Sequence, residues 1–336
     1  MRSGTEWYPV DNASAVGASR RLAIRLATRL GFDEGRTGDV GIVVSEIAAN
    51  LLKHAGHGSL GLQVALRTGV AGVRVIATDS GPGMDDVSLS AIDGHSTSGT
   101  LGVGLGAVLR LSTSVDISTQ PRRGTVLCAD LWPNGDDGTP AGDHVDIAGL
   151  TRPIANEEIS GDSVAARTVD GHHLLMVTDG LGHGPMAAGA SNEAVAAFHS
   201  TPTIDPATML AAMHRTTRGT RGAAIAVAAI DSAYTQLRFA GVGNISAFVA
   251  RSERRNAAMS QPGIVGHQMP RIRAVEVPLD ESALVIMHSD GVRETWNLRD
   301  NPGLERRRAS VIAATVLRDA GSRPDDASVL VARYRR

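Results

Sequence analysis

The sequence predicts an α+β protein of two domains, and three observations lead to this class. The chain has 336 residues, which is enough for two hydrophobic cores at roughly 150 residues per domain. A polar stretch rich in Gly, Pro and Asp, residues 133–144, is typical of a linker. Helical and strand patterns are mixed over residues 1–132, whereas strand patterns dominate residues 145–336.

In the first domain, apolar residues recur with helical spacing over residues 13–30 and 38–54. Alternating apolar residues and short apolar runs predict four strands, at residues 60–66, 73–77, 113–119 and 124–131. Each helix has one apolar stripe that must be buried against another element. We therefore expect a layer of helices on one face of a sheet.

The second domain is richer in strands. Strands are predicted at residues 163–169, 172–178, 222–230, 234–240, 245–250, 282–288 and 327–334. Helices are predicted near residues 186–199, 206–217 and 304–319. The alanine-rich segment 185–198 suits a helix that packs closely on a sheet.

Composition excludes several classes of function. The net charge is −2 and the sequence pI is about 6.6, so no basic surface for nucleic acid is expected. Cys128 is the only cysteine, which excludes an intrachain disulfide and a cysteine-rich zinc site. No stretch approaches the ~20 apolar residues of a membrane span, and the N-terminus lacks a signal-peptide pattern. We expect a cytoplasmic protein without a membrane partner.

The second predicted helix carries an unusual set of polar side chains. Glu46 and Asn50 are four residues apart, so they share one face. Lys53, the only lysine, and His54 are expected to continue that face for one more turn. A carboxylate, an amide and a cation together differ from a solvated charged stripe. Taken alone, the pattern also fits a polar surface helix.

A glycine-containing turn follows the predicted strand at 73–77. Asp79 stands at the strand end in the stretch DSGPG, where Gly81 and Gly83 let the backbone approach a planar ligand closely. The Asp79 carboxylate can accept a hydrogen bond from an exocyclic amine. An ordinary β-turn is the alternative.

A second glycine-rich stretch, residues 98–111, leads into an apolar helix. It places Gly102, Gly104 and Gly106 before or at the start of that helix. Backbone amides at a glycine-rich helix N-terminus bind phosphate oxygens. A flexible loop would have a similar composition.

In order and spacing, these three features together resemble the GHKL ATPase superfamily, which also has a late Gly-Thr on a strand, here Gly124-Thr125. The compact form over roughly residues 8–131 resembles the anti-sigma serine kinases of bacterial stress switches. The resemblance implies ATP and Mg²⁺ as cofactors, with Asn50 holding Mg²⁺ and Asp79 binding adenine. It makes Glu46 the candidate base for the substrate hydroxyl. The other implied nucleotide contacts are Lys53, His54, Gly81, Gly83, Gly102, Gly104, Gly106 and Thr125.

The second domain carries acidic residues at strand ends and turns, far apart in the sequence. They are Asp162, Asp179, Asp290, Asp325 and Asp326. Any single one fits an ordinary turn aspartate. The glycine-rich turn after Asp179 fits either a phosphate cradle or a carboxylate presented to a metal ion.

The order G-D, D-G, S-D-G and D-D-x-S/T resembles the PPM superfamily of metal-dependent serine/threonine phosphatases, in its SpoIIE-like branch, over about residues 145–334. The resemblance implies that Asp162 bridges two Mn²⁺ or Mg²⁺ ions, and that Asp179 and the Gly180 carbonyl support one of them. Asp290 and Asp325 would complete the other. Clustered carboxylates without cations would have raised pKa values. Hard divalent ions remove that conflict.

These resemblances imply a GHKL ATPase α/β sandwich joined to a PPM-type αββα sandwich, and a bifunctional serine/threonine kinase and phosphatase. The implied partner is a STAS-domain anti-sigma antagonist or a stressosome-type protein of a partner-switching pathway. One alternative is a phosphatase whose first domain is a nucleotide-binding regulatory or anti-sigma binding module. A scaffold with two inactive sites is a third hypothesis. The oligomeric state is open, with a homo-oligomer as one possibility.

Overall fold

The computed structural model describes residues 4–67, 69–84, 104–133, 144–155, 157–251, 254–321 and 324–335. The chain forms two compact units. One consists of Thr5–Asp143, and the other of His144–Arg336 together with Met1–Gly4. Within the residues described, no helix is both long and apolar enough to cross a membrane.

The N-terminal unit is one antiparallel sheet with helices on one face. Its elements are β1 Glu6–Val10, α1 Ala13–Arg29, α2 Glu34–Asn50, β2 Gly58–Arg67, β3 Val70–Thr78, α3 Gly104–Leu111, β4 Ser114–Gln120 and β5 Gly124–Leu131. The five strands lie in the order β1-β2-β3-β5-β4. The predicted helices and strands are confirmed, except that β1 was not predicted.

Local sequence explains where the first two helices begin. The Asn12 side chain caps α1 by accepting from the Ala15 amide at 3.1 Å. Asp33 caps α2 by accepting from the Arg36 amide at 2.7 Å. Such side-chain oxygens satisfy amides that have no partner within the first turn. The apolar faces of both helices share one buried core with inward residues of β2, β3 and β5.

The end of α2 differs from the prediction. The α-helix ends at Asn50, and Leu51–Ala55 form a π-helical turn that stops at Gly56, whose φ is 76°. Leu51 is buried, and a side-chain carbon at Gly58 would lie 2.8 Å from it. Periodicity alone predicted an unbroken α-helix because it does not detect the wider turn.

The C-terminal unit is built from two sheets and three longer helices. Its elements are β6 Val145–Arg152, β7 Asp162–Val169, β8 His172–Gly180, α4 Gly184–Ser200, α5 Pro206–Thr216, β9 Ala223–Ile230, β10 Gln236–Val242, β11 Ser246–Ala250, β12 Arg255–Ala258, β13 Val275–Pro278, β14 Leu284–His288, α6 Ala309–Ala320 and β15 Ala327–Tyr334. The two five-stranded sheets have the orders β13-β10-β9-β8-β7 and β12-β11-β14-β15-β6. Strands β6, β12 and β13 were not predicted.

The two sheets pack face to face, with a helical layer outside each. Val177 and Phe239 from the first sheet share one core with Val249, Val285 and Leu330 from the second. Helices α4 and α5 cover the other face of the first sheet, and α6 packs against β15 and β6. This is the αββα arrangement that the sequence predicts, and the alanine-rich helix α4 does pack closely on its sheet.

Candidate active sites

In the N-terminal unit, Asp79 connects the end of β3 to the start of β5. Its Oδ1 accepts hydrogen bonds from the Gly81 amide at 2.8 Å and the Thr125 amide at 3.2 Å. The Asp79 amide donates to the Thr125 carbonyl at 3.0 Å. Asp79 and Thr125 are both half-buried. The turn after β3 is therefore held in place by the aspartate itself.

The threonine hydroxyls of this region form a short chain beside the same turn. Thr119 Oγ1 lies 3.0 Å from Thr125 Oγ1 and accepts from the Met84 amide at 2.9 Å. Gly83 has a φ of 73°, and a side-chain carbon there would lie 2.0 Å from the Gln120 carbonyl oxygen. This close approach admits glycine alone.

The start of α3 lies against the polar face of α2. A side-chain carbon at Gly104 would lie 2.5 Å from Glu46 Oε2 and 3.7 Å from Asn50 Oδ1. This confirms that Glu46 and Asn50 share a face, and it brings the amide end of α3 beside both. Gly106 is buried within α3, and Gly102 lies outside the described residues.

The π-helical turn borders the same region. Lys53 and His54 are exposed on it, rather than lying on a continuation of the α-helix. A side-chain carbon at Gly81 would lie 2.8 Å from Ala55 Cβ, so the turn after Asp79 packs on the π-helical turn. The predicted nucleotide-site residues in the described ranges thus come from elements in mutual contact. Carboxylate and amide oxygens on α2 are suitable ligands for Mg²⁺.

In the C-terminal unit, the first two acids of the predicted set face each other. Asp162 opens β7 and Asp179 lies near the end of β8, and they are register partners in the antiparallel pair. Asp162 is 4% exposed, and its Oδ2 is buried with no hydrogen-bond partner among the described residues. Burial and then the Asp179 charge raise the pKa of Asp162 well above its usual value, although the nearby Ser289 and Ser328 hydroxyls oppose this.

Asp179 links this pair to the other two predicted acids. Burial, followed by the charges of Asp290 and Asp325, raises the pKa of Asp179 to about 7. The structure therefore brings together Asp162, Asp179, Asp290 and Asp325, which lie on separate strand ends. Acids gathered in this way favour protons or cations in their midst.

A residue that the sequence did not single out contacts this cluster. Asn244, in the turn between β10 and β11, donates from Nδ2 to Asp290 Oδ2 at 2.7 Å. An asparagine in a Gly-Asn turn has an ordinary local explanation. Only the approach of that turn to the end of β14 reveals the contact.

The adjacent acids Asp325 and Asp326 have different surroundings. Asp326 is 3% exposed, and its two oxygens accept from the Ile154 and Gly161 amides, each at 2.8 Å. Asp325 is exposed, with Oδ1 accepting from the Asp326 amide at 2.9 Å. Asp326 thus fixes two backbone segments, whereas Asp325 lies at the open side of the cluster. The resemblance implies Asp325 as the metal ligand of this pair, and that assignment stays a prediction.

Helix α4 lies close to the acidic cluster because of small residues. A side-chain carbon at Gly180 would lie 2.2 Å from the Ala187 carbonyl oxygen. The Gly161 carbonyl accepts from the Gly180 amide at 3.3 Å and from Ser191 Oγ at 2.5 Å. The backbone at Gly180 is therefore held between β7 and α4.

Two histidines near the cluster have protein partners. His183 precedes α4 as its cap residue and is exposed, with Nδ1 3.1 Å from Glu157 Oε1. His288 is buried; its Nδ1 lies 2.9 Å from the Ser289 carbonyl oxygen, and its Nε2 accepts from Trp296 Nε1 at 3.1 Å. Both ring nitrogens of His288 therefore contact protein groups.

The donor set suits hard divalent cations, since it consists of carboxylates and a backbone carbonyl. The buried, unpartnered Asp162 Oδ2 is an oxygen that a cation would satisfy. Within the described ranges, no group of three or more His, Cys, Asp or Glu side chains is already arranged to hold a metal ion.

Comparison with known families divides the chain at the same place as its two units. Residues 9–130 match the histidine kinase-like ATPase domain. Residues 169–335 match the family described as Stage II sporulation protein E (SpoIIE). The two matches do not overlap.

Individual proteins resemble each half. Serine/threonine-protein kinase RsbT of Bacillus subtilis (strain 168) is 35% identical over 132 residues, which cover 39% of this chain and 94% of RsbT. A structure from work on the bacterial stressosome, a modular system adapted to control secondary messenger signaling, is 31% identical. It covers 57% of this chain and 100% of its own, with a TM-score of 0.52. A crystal structure of RsbX in complex with magnesium is 17% identical, covers 58% of this chain and 98% of its own, and has a TM-score of 0.50, a likeness of fold.

Proposed function

We propose that this chain catalyses two opposing reactions. It belongs to the RsbT family of serine/threonine-protein kinases through its N-terminal domain, and it carries a SpoIIE-like phosphatase domain after that domain. The N-terminal domain transfers phosphate from ATP to a serine or threonine of a partner protein. The C-terminal domain hydrolyses that phosphate. The observation that carries the proposal is the joint presence of the Glu46–Asn50 face and the four-acid cluster in one chain.

In the kinase reaction, Glu46 accepts the proton of the substrate hydroxyl. The hydroxyl oxygen attacks the γ-phosphorus of ATP, the bond from phosphorus to the ADP oxygen breaks, and ADP leaves. Support comes from the position of Glu46 one turn from Asn50 and beside the amide end of α3. Mg²⁺ held through Asn50 neutralises phosphate charge when it is bound. Transfer of this kind depends mainly on positioning and charge neutralisation.

In this proposal, the turn after β3 recognises the nucleotide. Asp79 uses Oδ1 to hold the backbone of Gly81 and Thr125, which fixes the orientation of its carboxylate. A carboxylate oriented in this way accepts a hydrogen bond from the adenine amine. Gly104 and Gly106 supply amides near the phosphates, and exposed Lys53 and His54 supply polar contacts.

In the phosphatase reaction, water attacks the phosphorus of the phosphoserine or phosphothreonine. The bond from phosphorus to the side-chain oxygen breaks, inorganic phosphate leaves, and the side-chain oxygen takes up a proton. Two divalent cations, Mn²⁺ or Mg²⁺, lower the pKa of water and neutralise phosphate charge when bound. Asp162, Asp179, Asp290 and Asp325, with the Gly180 carbonyl, are the residues that would hold them.

The proposed substrate is a STAS-domain protein of a partner-switching pathway. Support comes from the identity to RsbT and from the likeness to the stressosome structure. One chain with both activities would keep each at high effective concentration on one target. We infer that the ratio of ADP to ATP decides which reaction prevails.

Phosphosite mass spectrometry on the full chain tests the proposal. The chain is incubated with candidate STAS-domain proteins, ATP, and Mg²⁺ or Mn²⁺. The wild type is compared with Glu46→Gln and Asp179→Asn. We expect Glu46→Gln to lose transfer but keep hydrolysis of a phosphorylated partner. We expect Asp179→Asn to do the opposite and to accumulate the phosphorylated partner.

The outcomes separate the proposal from its rivals. Transfer that is undiminished in Glu46→Gln would overturn the assignment of the base. A wild type that binds ATP and hydrolyses the phosphorylated partner, but transfers no phosphate, would make the N-terminal domain a nucleotide-binding regulatory module. Rates that do not depend on the ADP to ATP ratio would remove the proposed regulation.

A further inference from the structure

An arginine lies across from the glycine-rich turn that follows Asp179. Strands β8 and β9 pair Asp179 with Ala224 and Gly180 with Ala223. The ladder continues beyond the strands, because the Leu181 amide donates to the Gly222 carbonyl at 3.0 Å. The next pair along is Gly182 and Arg221. A side-chain carbon at Gly182 would lie 3.2 Å from an Arg221 guanidinium nitrogen, so the guanidinium rests directly on the turn.

The loop that carries Arg221 is fixed by its own hydrogen bonds. Thr220 donates to the Thr217 carbonyl twice, from its amide at 3.1 Å and from Oγ1 at 2.7 Å. Thr220 Oγ1 also accepts from the Gly222 amide at 3.0 Å. Thr217 itself is buried. The backbone on both sides of Arg221 is therefore held, while its side chain is exposed.

Arg221 has no hydrogen bond or ion pair within the part of the chain that the structure describes. Its side chain nevertheless lies beside the turn that follows Asp179, a member of the cluster of four acids. Some other arginines of this chain pair with carboxylates, as Arg251 does with Asp280. A guanidinium presents a planar fork of donors that matches a phosphate group. This exposed guanidinium, beside the turn that follows Asp179, is suited to an anion brought in by the substrate.

We propose that Arg221 binds the phosphoryl oxygens of the phosphoserine or phosphothreonine substrate at the C-terminal site. The guanidinium holds the phosphate from beside Gly182, in the turn that follows Asp179. This inference rests on the proposed phosphatase function, and it names the residue that recognises the phosphate in that reaction. The phosphate-bearing side chain is recognised by the charge of its phosphate rather than by its own carbon skeleton.

The same loop offers a matched control. Arg218 is also exposed and also without a hydrogen bond or ion pair within the described part, but Gly182 is not among its close neighbours. Replacement of Arg218 changes the net charge as much as replacement of Arg221. A difference between the two variants therefore reports direct binding rather than a general field effect.

The test compares wild type, Arg221→Ala, Arg221→Lys and Arg218→Ala on a phosphopeptide, with Mn²⁺ present. KM, kcat and the inhibition constant of inorganic phosphate are measured, and inorganic phosphate binding is measured separately by calorimetry. For Arg221→Ala we expect KM and both phosphate constants to rise about 10- to 100-fold, the loss typical of a hydrogen bond to a charged group. We expect a smaller rise for Arg221→Lys, which keeps the charge but not the fork, and less than about threefold for Arg218→Ala. Melting temperatures of all variants control for folding.

Equal effects of Arg221→Ala and Arg218→Ala on phosphate binding would overturn the inference, and so would an unchanged phosphate constant in Arg221→Ala. Calorimetry keeps this test independent of turnover. A wild type that binds phosphate through Arg221 but hydrolyses no phosphopeptide would remove the proposed function and leave the binding site. Hydrolysis of the phosphopeptide that is as fast in Arg221→Ala as in the wild type would remove the proposed role of Arg221 and leave the proposed phosphatase function.

Discussion

Asp162 and Asp179 stand directly opposite each other on neighbouring strands β7 and β8, and the charges of Asp290 and Asp325, next to the ends of β14 and β15 in the other sheet, act on Asp179. Opposed residues of an antiparallel pair have Cβ atoms about 4.5–5.5 Å apart, and like charges in such positions repel. The pKa of Asp162 and that of Asp179 are both raised, chiefly by burial and then by neighbouring acids. The fold therefore holds these carboxylates together against their electrostatic repulsion, and a bound proton or cation would reduce that repulsion.

This repulsion predicts how the stability of the metal-free protein depends on pH. An unfolded aspartate titrates near pH 3.9, and the folded Asp179 titrates at about 7. Between these values the unfolded chain gives up its proton first, so the free energy of unfolding falls as pH rises from about 4 to about 7. We expect Asp179→Asn to flatten this fall and to be more stable at pH 8 by on the order of 1–4 kcal/mol. Denaturant unfolding curves at both pH values, with a metal chelator present, measure this difference in the free energy of unfolding. A variant less stable than wild type at pH 8 would contradict it.

Substitutions of the two adjacent acids before β15 are expected to have different effects on stability and on stabilisation by Mn²⁺. Asp326→Ala leaves the Ile154 and Gly161 amides without acceptors, so we expect at least about 1–3 kcal/mol of lost stability, with or without metal. Asp325→Asn keeps an oxygen for the Asp326 amide, so the metal-free stability should change little. It should instead weaken the rise in melting temperature that Mn²⁺ gives. Thermal melts across a Mn²⁺ series distinguish the two. Equal losses in metal-free protein would show that both acids are structural.

Asn244 is expected to act on the metal site through Asp290. Removal of its amide in Asn244→Ala leaves Asp290 without the donor at 2.7 Å that orients it. Loss of such a supporting contact typically costs 10- to 100-fold in metal affinity or activity. We therefore expect phosphatase activity to need about 10- to 100-fold more Mn²⁺ for half-maximal rate. Asn244→Asp is the contrasting variant, because it also removes the amide donor but places another carboxylate beside Asp290. The added negative charge favours a cation, so the rise in the Mn²⁺ requirement should be smaller than in Asn244→Ala. An unchanged Mn²⁺ dependence in Asn244→Ala would refute the role.

Gly104 is expected to matter for the kinase reaction more than for stability. A methyl group at Gly104 would lie 2.5 Å from Glu46 Oε2, the flexible end of a side chain that can move away. We expect Gly104→Ala to melt within a few degrees of wild type but to transfer phosphate at least about tenfold more slowly, because the base is displaced. Gly124→Ala is the contrast, since φ is 86° there and an added side-chain carbon would lie 2.1 Å from the Asp79 carbonyl oxygen. It should lose about 1–3 kcal/mol of stability. Full transfer activity in Gly104→Ala would argue against Glu46 as the base.

The sequence by itself determined which residues stand at the ends of elements and which share a face. Helical spacing placed Glu46 and Asn50 on one side of α2, because that relation depends only on residues four apart. The strand patterns placed Asp162 and Asp179 at strand ends, because alternation and turn residues are local signals. The helical layer on one sheet followed from the same local patterns, whereas the αββα sandwich was implied by the resemblance to the PPM superfamily.

Tertiary structure alone decided which of those ends meet. Sheet order brings β9 beside β8, and this puts Arg221 against Gly182, although the two residues are distant in sequence. Packing also gave the neighbours Asp325 and Asp326 different roles, which their shared residue type conceals. The physical reason is that a side chain's direction follows from its own element, whereas its partners depend on how separate elements pack. Burial and charge at the four-acid cluster arise only when those elements converge.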